Sequence, residues 1–334
     1  MTPTSTEGLE VIAQGYRKSC VLFAALELSL FDALDKKEEG LTSVELADEL
    51  QTHRTGVEAL LDSLVAFCLV RRREGRYSNS PELRPYLIDG EHSLKRALLH
   101  QQDEMSRWAC IAGRMRQEPV ARENIEDRIF AGHKIDDYLQ MVKVANTHRA
   151  NELVKLLAMH FAEASRIMDL AGGHGLYSEM LIARMPHIEV TIVDLSSSIE
   201  YARRTMKHST QIAFEVGDAR SLAYHEVFDG VMVNDLLHSF GSEDKQLILR
   251  NSLAALKPGG RLVVGKLHLE RDSDQPNSNH LFSLKMFINS AHGYLETDQE
   301  IVCMIQMLGA RVVAKEILAG AAESVVIVAE KIRP

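Results

Sequence analysis

"DLAGGHG", residues 169–175, follows "ASRIM" and precedes "LYSEMLIARMP". A short apolar run ends in three crowded glycines, and helix-forming residues begin straight after. Glycine tolerates backbone that other residues avoid, so such a turn brings main chain close to a ligand at a helix N-terminus. Strand-like runs continue to the C-terminus: "EVTIVDL", "IAFEVGD", "GVMVND", "RLVVGKL", "RVVAKEI" and "SVVIVAEK". Helical stretches such as "SIEYARRTMKH" and "KQLILRNSLAALK" separate most of them. Strand alternating with helix predicts a parallel sheet covered on both faces. The last two runs are joined only by "AGAAE", too short for a crossover, which predicts an antiparallel final strand. The expected fold class is α/β, a Rossmann-like doubly wound sheet.

Upstream of residue 160 the pattern is helical. "VIAQGYRKSCVLFAALELSLFDAL" is apolar around most of its circumference, more than one core face requires. A second copy of the chain would cover the excess, so a homodimer is expected. "TSVELADEL", "HRTGVEALLDSLVAFCLV" and "RRREGRYSNSPEL" read as helix, helix and small hairpin, with Thr42 or Ser43 as a cap and Gly75 in the turn. This is the winged-helix pattern. The expected domains are an all-α winged-helix dimerisation domain over 1–100, a helical linker over 101–160 and a nucleotide-binding domain over 161–334.

Composition excludes several classes. The net charge of −9 opposes general nucleic-acid affinity, which needs a basic surface. "RRREGR" resembles a DNA-touching wing, and a ligand-responsive transcription regulator is the rival reading. Yet "TGVEALLDSLVAF" carries Glu58 and Asp62 where a recognition helix would meet phosphate. The apolar stretches are too short or too charged to span a membrane, and "MTPTSTEGLE" lacks signal-peptide character. Cys20, Cys68, Cys110 and Cys303 show no pairing pattern, so a cytoplasmic protein is expected. His238, His280 and His292 fit no ligand spacing, and no metal is expected.

Ligands of doubly wound sheets sit at the carboxyl ends of the strands. The dinucleotide fingerprint GxGxxG fails here, because Ser178 stands at its third glycine. Asp194 ends the next strand, where a carboxylate can accept both ribose hydroxyls, and Asp218 ends the third, beside an adenine edge.

Asp169 followed by Ala171, Gly172, Gly173 and Gly175 resembles the first motif of class I S-adenosylmethionine-dependent methyltransferases, with alanine at the first glycine. The order of winged helix, helical linker and nucleotide sheet is similar to the small-molecule O-methyltransferases of the caffeate and hydroxyindole type, bacterial natural-product enzymes included. The resemblance spans essentially the whole chain. It implies S-adenosylmethionine bound by these residues with Asp194, Leu195, Asp218, Ala219 and Asn234. It implies His238, in "NDLLHSF", as the general base for a hydroxyl of a small aromatic acceptor. Acceptor-pocket positions implied by the resemblance are Trp108, Met141, Ala145, Asn146, Met286, Phe287 and Asn289. Further positions depart from the family: Lys266 and Leu295 stand where carboxylates usually orient the histidine, with Glu296 one residue away as a substitute, and Asn234, Ser239 and Phe240 also differ from the commonest family residues. C-methylation, or non-methylating use of the cofactor, therefore stays open.

Overall fold

The computed structural model describes residues 5–90, 93–116, 135–206, 210–270, 279–289, 293–318 and 323–332. The chain divides into two compact units, Met1–Ala109 and Cys110–Pro334.

The first unit contains α1 (Thr6–Gln14), α2 (Tyr16–Glu27), α3 (Leu30–Asp35), α4 (Ser43–Glu49) and α5 (Arg54–Ala66), then β1 (Val70–Arg73) and β2 (Arg76–Asn79), then α6 (Arg84–Leu87) and α7 (Lys95–Ala109). The apolar run read as one stretch is three helices, broken at Gly15 and at Ser29, whose φ is 53°. Thr42 caps α4 in a capping box with Glu45, satisfying donors that a helix start leaves orphaned. Glu74 and Gly75 both hold positive φ between β1 and β2, the twist a two-residue hairpin turn requires. Leu26, Phe31, Leu46, Leu61, Leu64 and Tyr77 fill the core. Leu9, Val11, Ile12 and Tyr16 stay exposed.

The arginines of the hairpin are tied to acids nearby. Arg71 reaches Glu82 at 2.6 Å, Arg76 reaches Glu45 at 2.8 Å, and Arg72 lies 3.6 Å from Asp62.

The second unit opens with α8 (Ile111–Met115) and the long α9 (Ile135–His160). β3 (Arg166–Leu170), α10 (Leu176–Arg184), β4 (Glu189–Asp194), α11 (Ser196–Thr205), β5 (Ile212–Val216) and β6 (Phe228–Asn234) follow. Then come α12 (Ser242–Ala255), β7 (Leu256–Leu267), α13 (Asn279–Asn289), α14 (Asp298–Met307), β8 (Ala310–Leu318) and β9 (Ser324–Lys331). The sheet order is β5-β4-β3-β6-β7-β9-β8. β9 runs antiparallel to both neighbours, as the short connection requires. β7 begins at Leu256, earlier than the "RLVVGKL" run, with a register shift against β6.

Alternate residues of each strand serve opposite layers, the period-2 rule of a sheet buried twice. Met168, Val231, Leu262 and Val264 pack with Ile248 and Ile301 of α12 and α14. Ile167, Met232 and Val263 pack with Leu153, Phe161, Leu181 and Ile199 on the other side. β3 and β6 are parallel neighbours, and the order of strand addition reverses between them, which sets the switch point there.

No described helix is long and apolar enough to cross a membrane.

Candidate active site

At the end of β3 the chain turns through Ala171 (φ 59°), Gly173 (φ 36°) and Gly175 (φ 68°) into α10. A Cβ on Gly172 would lie 2.5 Å from Asp169 Oδ2, and one on Gly175 would lie 2.0 Å from Met206 Sδ. Those positions admit only glycine without rearrangement. Ala171 holds the left-handed backbone with a side chain attached, at a cost of about 1 kcal/mol. Asp169 is buried and accepts a 2.6 Å hydrogen bond from the Ser178 hydroxyl. Its carboxyl is pushed up to about 7, mainly by burial, with Ser178 opposing and Asp194 adding to the rise. The serine that breaks the dinucleotide fingerprint is thus the partner of the motif's acid.

Asp194, at the end of β4, accepts from the Gly173 amide at 2.8 Å and the Leu195 amide at 2.6 Å. Strand end and glycine turn are thereby fastened together.

A cleft open at its mouth lies over this turn and the β4 strand end, with Tyr138, Leu139 and Val142 of α9 along one wall. Of the residues expected at a cofactor, Asp169, Ala171, Gly172, Gly173, Asp194 and Asn234 line it. Gly175 and Leu195 instead sit at the N-caps of α10 and α11. Asp218 lies outside the lining, capping the turn Ala219–Ser221 and pairing with Arg220 at 2.7 Å. Ala219 is buried beside it.

Asn234 is 8% exposed, and neither polar atom of its amide has a partner among the described residues. It packs over Gly265, where a Cβ would come within 2.3 Å of Asn234 Oδ1. A buried, orphaned amide is costly unless a ligand completes it. The glycine cradle, the anchored carboxylate and this amide fit a nucleoside bearing an amino-acid arm.

Sequence reasoning missed part of the wall. Arg149 of α9 pairs with Asp235, which is held at φ 53° after β6, and also donates to the Tyr177 hydroxyl at 3.2 Å and Ser324 Oγ at 2.8 Å. Tyr177, Asp235 and His174 line the cleft. His174 stood in view inside the glycine motif; Arg149 offered no local signal.

His238 follows β6 on the single turn Leu237–Ser239, its ring edge-on to Phe282 with centroids 5.0 Å apart. The cleft reaches its neighbours Leu236 and Ser239. Burial lowers the imidazole to about 3, reinforced by Lys245, Arg149, Lys266 and Lys285. Burial and these charges favour the neutral ring. The expected carboxylate support is absent among the described residues, because both nearby acids are engaged elsewhere. Glu296 is fully buried against Lys245, which also donates to the Tyr294 carbonyl at 3.1 Å. Asp298 binds Lys266 at 3.1 Å and His268 Nδ1 at 2.6 Å. Leu295 is buried in the core.

His268, Glu270 and Asp298 are the described group spaced for a metal, but Lys266 and Lys315 already neutralise Asp298 there. His280 starts α13, and His292 lies outside the described residues.

Of the acceptor candidates, Met141, Ala145 and Asn146 sit on α9, where Asn146 accepts from Arg149 at 3.0 Å. Met286, Phe287 and Asn289 end α13, Phe287 being exposed. Trp108 belongs to α7 of the first unit.

Residues 128–311 match the O-methyltransferase domain model, and residues 11–87 match the O-methyltransferase dimerisation domain. Acetylserotonin O-methyltransferase of Bos taurus is 25% identical, over 84% of this chain and 86% of its own. The 3-hydroxy-5-methyl-1-naphthoate 3-O-methyltransferase of Streptomyces sahachiroi is 25% identical, over 84% of this chain and 82% of its own. The solved human N-acetylserotonin methyltransferase in complex with SAM superposes with a TM-score of 0.84 at 23% identity, covering 99% of this chain and 100% of its own. A domain model covering more than half the chain, joined to the expected sheet and glycine turn, settles kinship: the chain belongs to the S-adenosylmethionine-dependent O-methyltransferase family, whose members include natural-product enzymes.

Proposed function

We propose that this chain methylates a hydroxyl of a small aromatic, secondary-metabolite acceptor, with His238 as the group that receives the hydroxyl proton. What supports the reading is the place of the imidazole: it follows the β6 strand end on the turn Leu237–Ser239, and Leu236 and Ser239 beside it line the cleft.

When bound, S-adenosylmethionine supplies an electrophilic methyl group on a positively charged sulfur. Asp194 would accept from the ribose hydroxyls, and the turn Ala171–Gly175 would let the backbone approach. Asp218 and Ala219 would bound the adenine side, and Asn234 would complete its amide on the cofactor. The chain's task is then to align the acceptor oxygen in line with that methyl and take its proton. A neutral His238 can receive it, but burial, Lys245, Arg149 and Lys266 oppose the imidazolium, so the proton would leave as the methyl carbon is attacked rather than before. Met141, Ala145, Asn146, Met286, Phe287 and Asn289 of the second unit are the proposed acceptor contacts.

The test is incubation with methyl-labelled S-adenosylmethionine and a panel of hydroxylated aromatic acceptors, with mass spectrometry and NMR of the products. Label on oxygen is expected. Label on carbon would favour C-methylation, a reading kept alive by a histidine without a carboxylate. Unconsumed cofactor with every acceptor would overturn the proposal.

The same reading makes the chain a homodimer through its first unit, covering Leu9, Val11, Ile12 and Tyr16, which are 57–65% exposed. Light scattering at low micromolar concentration should return twice the chain mass, and a stable monomer there would refute it.

A further inference from the structure

The geometry points to His174 as a neutral N–H donor that holds the carboxylate of the cofactor's methionine arm. This inference rests on the cofactor reading above and adds to it a contact on the amino-acid end.

His174 sits inside the glycine turn and is 7% exposed, yet its ring lines the cleft. Its Nδ1 accepts a hydrogen bond from the Leu176 amide at 3.2 Å, so that nitrogen carries no proton. Burial, with Lys143 and Arg149 nearby, lowers the imidazole to about 4. The ring is neutral, and its one proton is on Nε2. That N–H meets no hydrogen-bond partner among the described residues. The ring is locked in place by Tyr177, edge-on with centroids 5.6 Å apart. The side chain is nine-tenths buried, and an oriented N–H on the cleft wall with no protein acceptor is placed to meet a ligand oxygen.

Which oxygen follows from the strand order. On the reading above Asp194 takes the ribose at the end of β4, whose neighbours are the edge strand β5 on one side and β3, then β6, on the other. With the adenine on the β5 side, beside Asp218, the amino-acid arm runs over the ends of β3 and β6. His174 follows β3, and its ring partner Tyr177 bonds Arg149 on the side of Asp235. On that path the cofactor's strong hydrogen-bond acceptor is the carboxylate. A neutral donor suits the place because a further cation there would repel the sulfonium.

The experiment is calorimetry on the full chain with two probes. S-adenosylhomocysteine carries the amino-acid arm; 5′-methylthioadenosine keeps the nucleoside and lacks the arm. His174→Phe should weaken S-adenosylhomocysteine about 10- to 100-fold, as loss of a hydrogen bond to a charged group does, and leave 5′-methylthioadenosine unchanged. His174→Gln, which places an amide N–H near the Nε2 position, should regain part of the loss. Equal losses on both probes would overturn the proposal in favour of a ribose contact or a damaged turn. No loss on S-adenosylhomocysteine would overturn it outright. Nitrogen-15 spectra of the wild type should place the ring proton on Nε2, and a proton on Nδ1 would overturn it too. A wild-type chain that bound neither probe would bring down the cofactor reading and this inference with it.

Discussion

At the ends of β3 and β4 the polar contacts are short-range: Ser178 to Asp169 spans nine positions, and Gly173 to Asp194 spans 21. At the ends of β6 and β7 the charges find partners from distant elements. Arg149 reaches Asp235 across 86 positions, Lys266 reaches Asp298 across 32, and Lys245 of α12 meets Glu296 just before α14. One side fastens a turn with backbone amides; the other assembles buried ion pairs. The difference teaches where specificity resides. On the proposed reading, nucleoside recognition is a task for local backbone, whereas the charges around His238 come together only once distant elements have packed. Buried ion pairs cost desolvation and add little net stability, but breaking one leaves a stranded charge.

The largest effect that would test this contrast is catalytic. His238→Ala should slow methyl transfer by about 10²–10⁴-fold, the range for removing a positioned base, while calorimetric cofactor affinity stays near wild type. Transfer at the wild-type rate would remove His238 from the chemistry and leave the β6–β7 side without a base. Next in size is the fully buried pair. Lys245→Met strands the Glu296 carboxylate and should cost about 3–5 kcal/mol in urea unfolding, and adding Glu296→Leu should restore most of it. A single variant as stable as the wild type would show that the pair is not coupled in solution.

On the other side, Asp194→Ala should cost about 2–3 kcal/mol of cofactor binding, the loss expected for charged hydrogen bonds to ribose hydroxyls. Unchanged affinity would move the nucleoside off β4. The smallest effect is pH-linked and joins both sides. His174, at about 4, and His238, at about 3, stay neutral in the folded chain below pH 6.5, whereas the unfolded chain protonates both. Each therefore contributes stability that is present above 6.5 and lost as pH falls. Asp169, raised to about 7, has the opposite sign between its ordinary value of 3.8 and 7, because the folded chain holds its proton. The balance is one extra proton on the unfolded state. From these three groups stability should rise by about 1.4 kcal/mol per pH unit from pH 4.5 to 5.5 and taper towards 6.5, where the unfolded histidines lose their protons, followed by circular dichroism in urea. His238→Ala should flatten that slope, and an equally steep variant would mean the ring is not held neutral.

Legibility followed the same divide. The alternating runs, the glycine turn and the antiparallel last strand could be read because each rests on residues close in sequence. The capping of Ala219–Ser221 by Asp218 was within reach too, since Arg220 stands two positions on. Glu296 was expected to be able to orient His238, and the fold gives it to Lys245 instead. Nothing near Glu296 in the sequence announces a lysine on α12. Arg149, the hub between Tyr177, Asp235 and Ser324, lies in the middle of a long helix whose own pattern explains only its packing.

By itself the sequence determined the strand–helix order, the sheet class, the glycine turn with its two carboxylates, and a histidine after the fourth strand of the sheet. These depend on backbone propensity, period-2 burial and the freedom of glycine, all of which act over a few residues. The tertiary structure alone decided the charge around that histidine, the partners of the buried lysines and the orphaned donors that face the cleft. Those depend on which side chains meet after strands from distant parts of the chain lie side by side, and on the low dielectric that burial creates there.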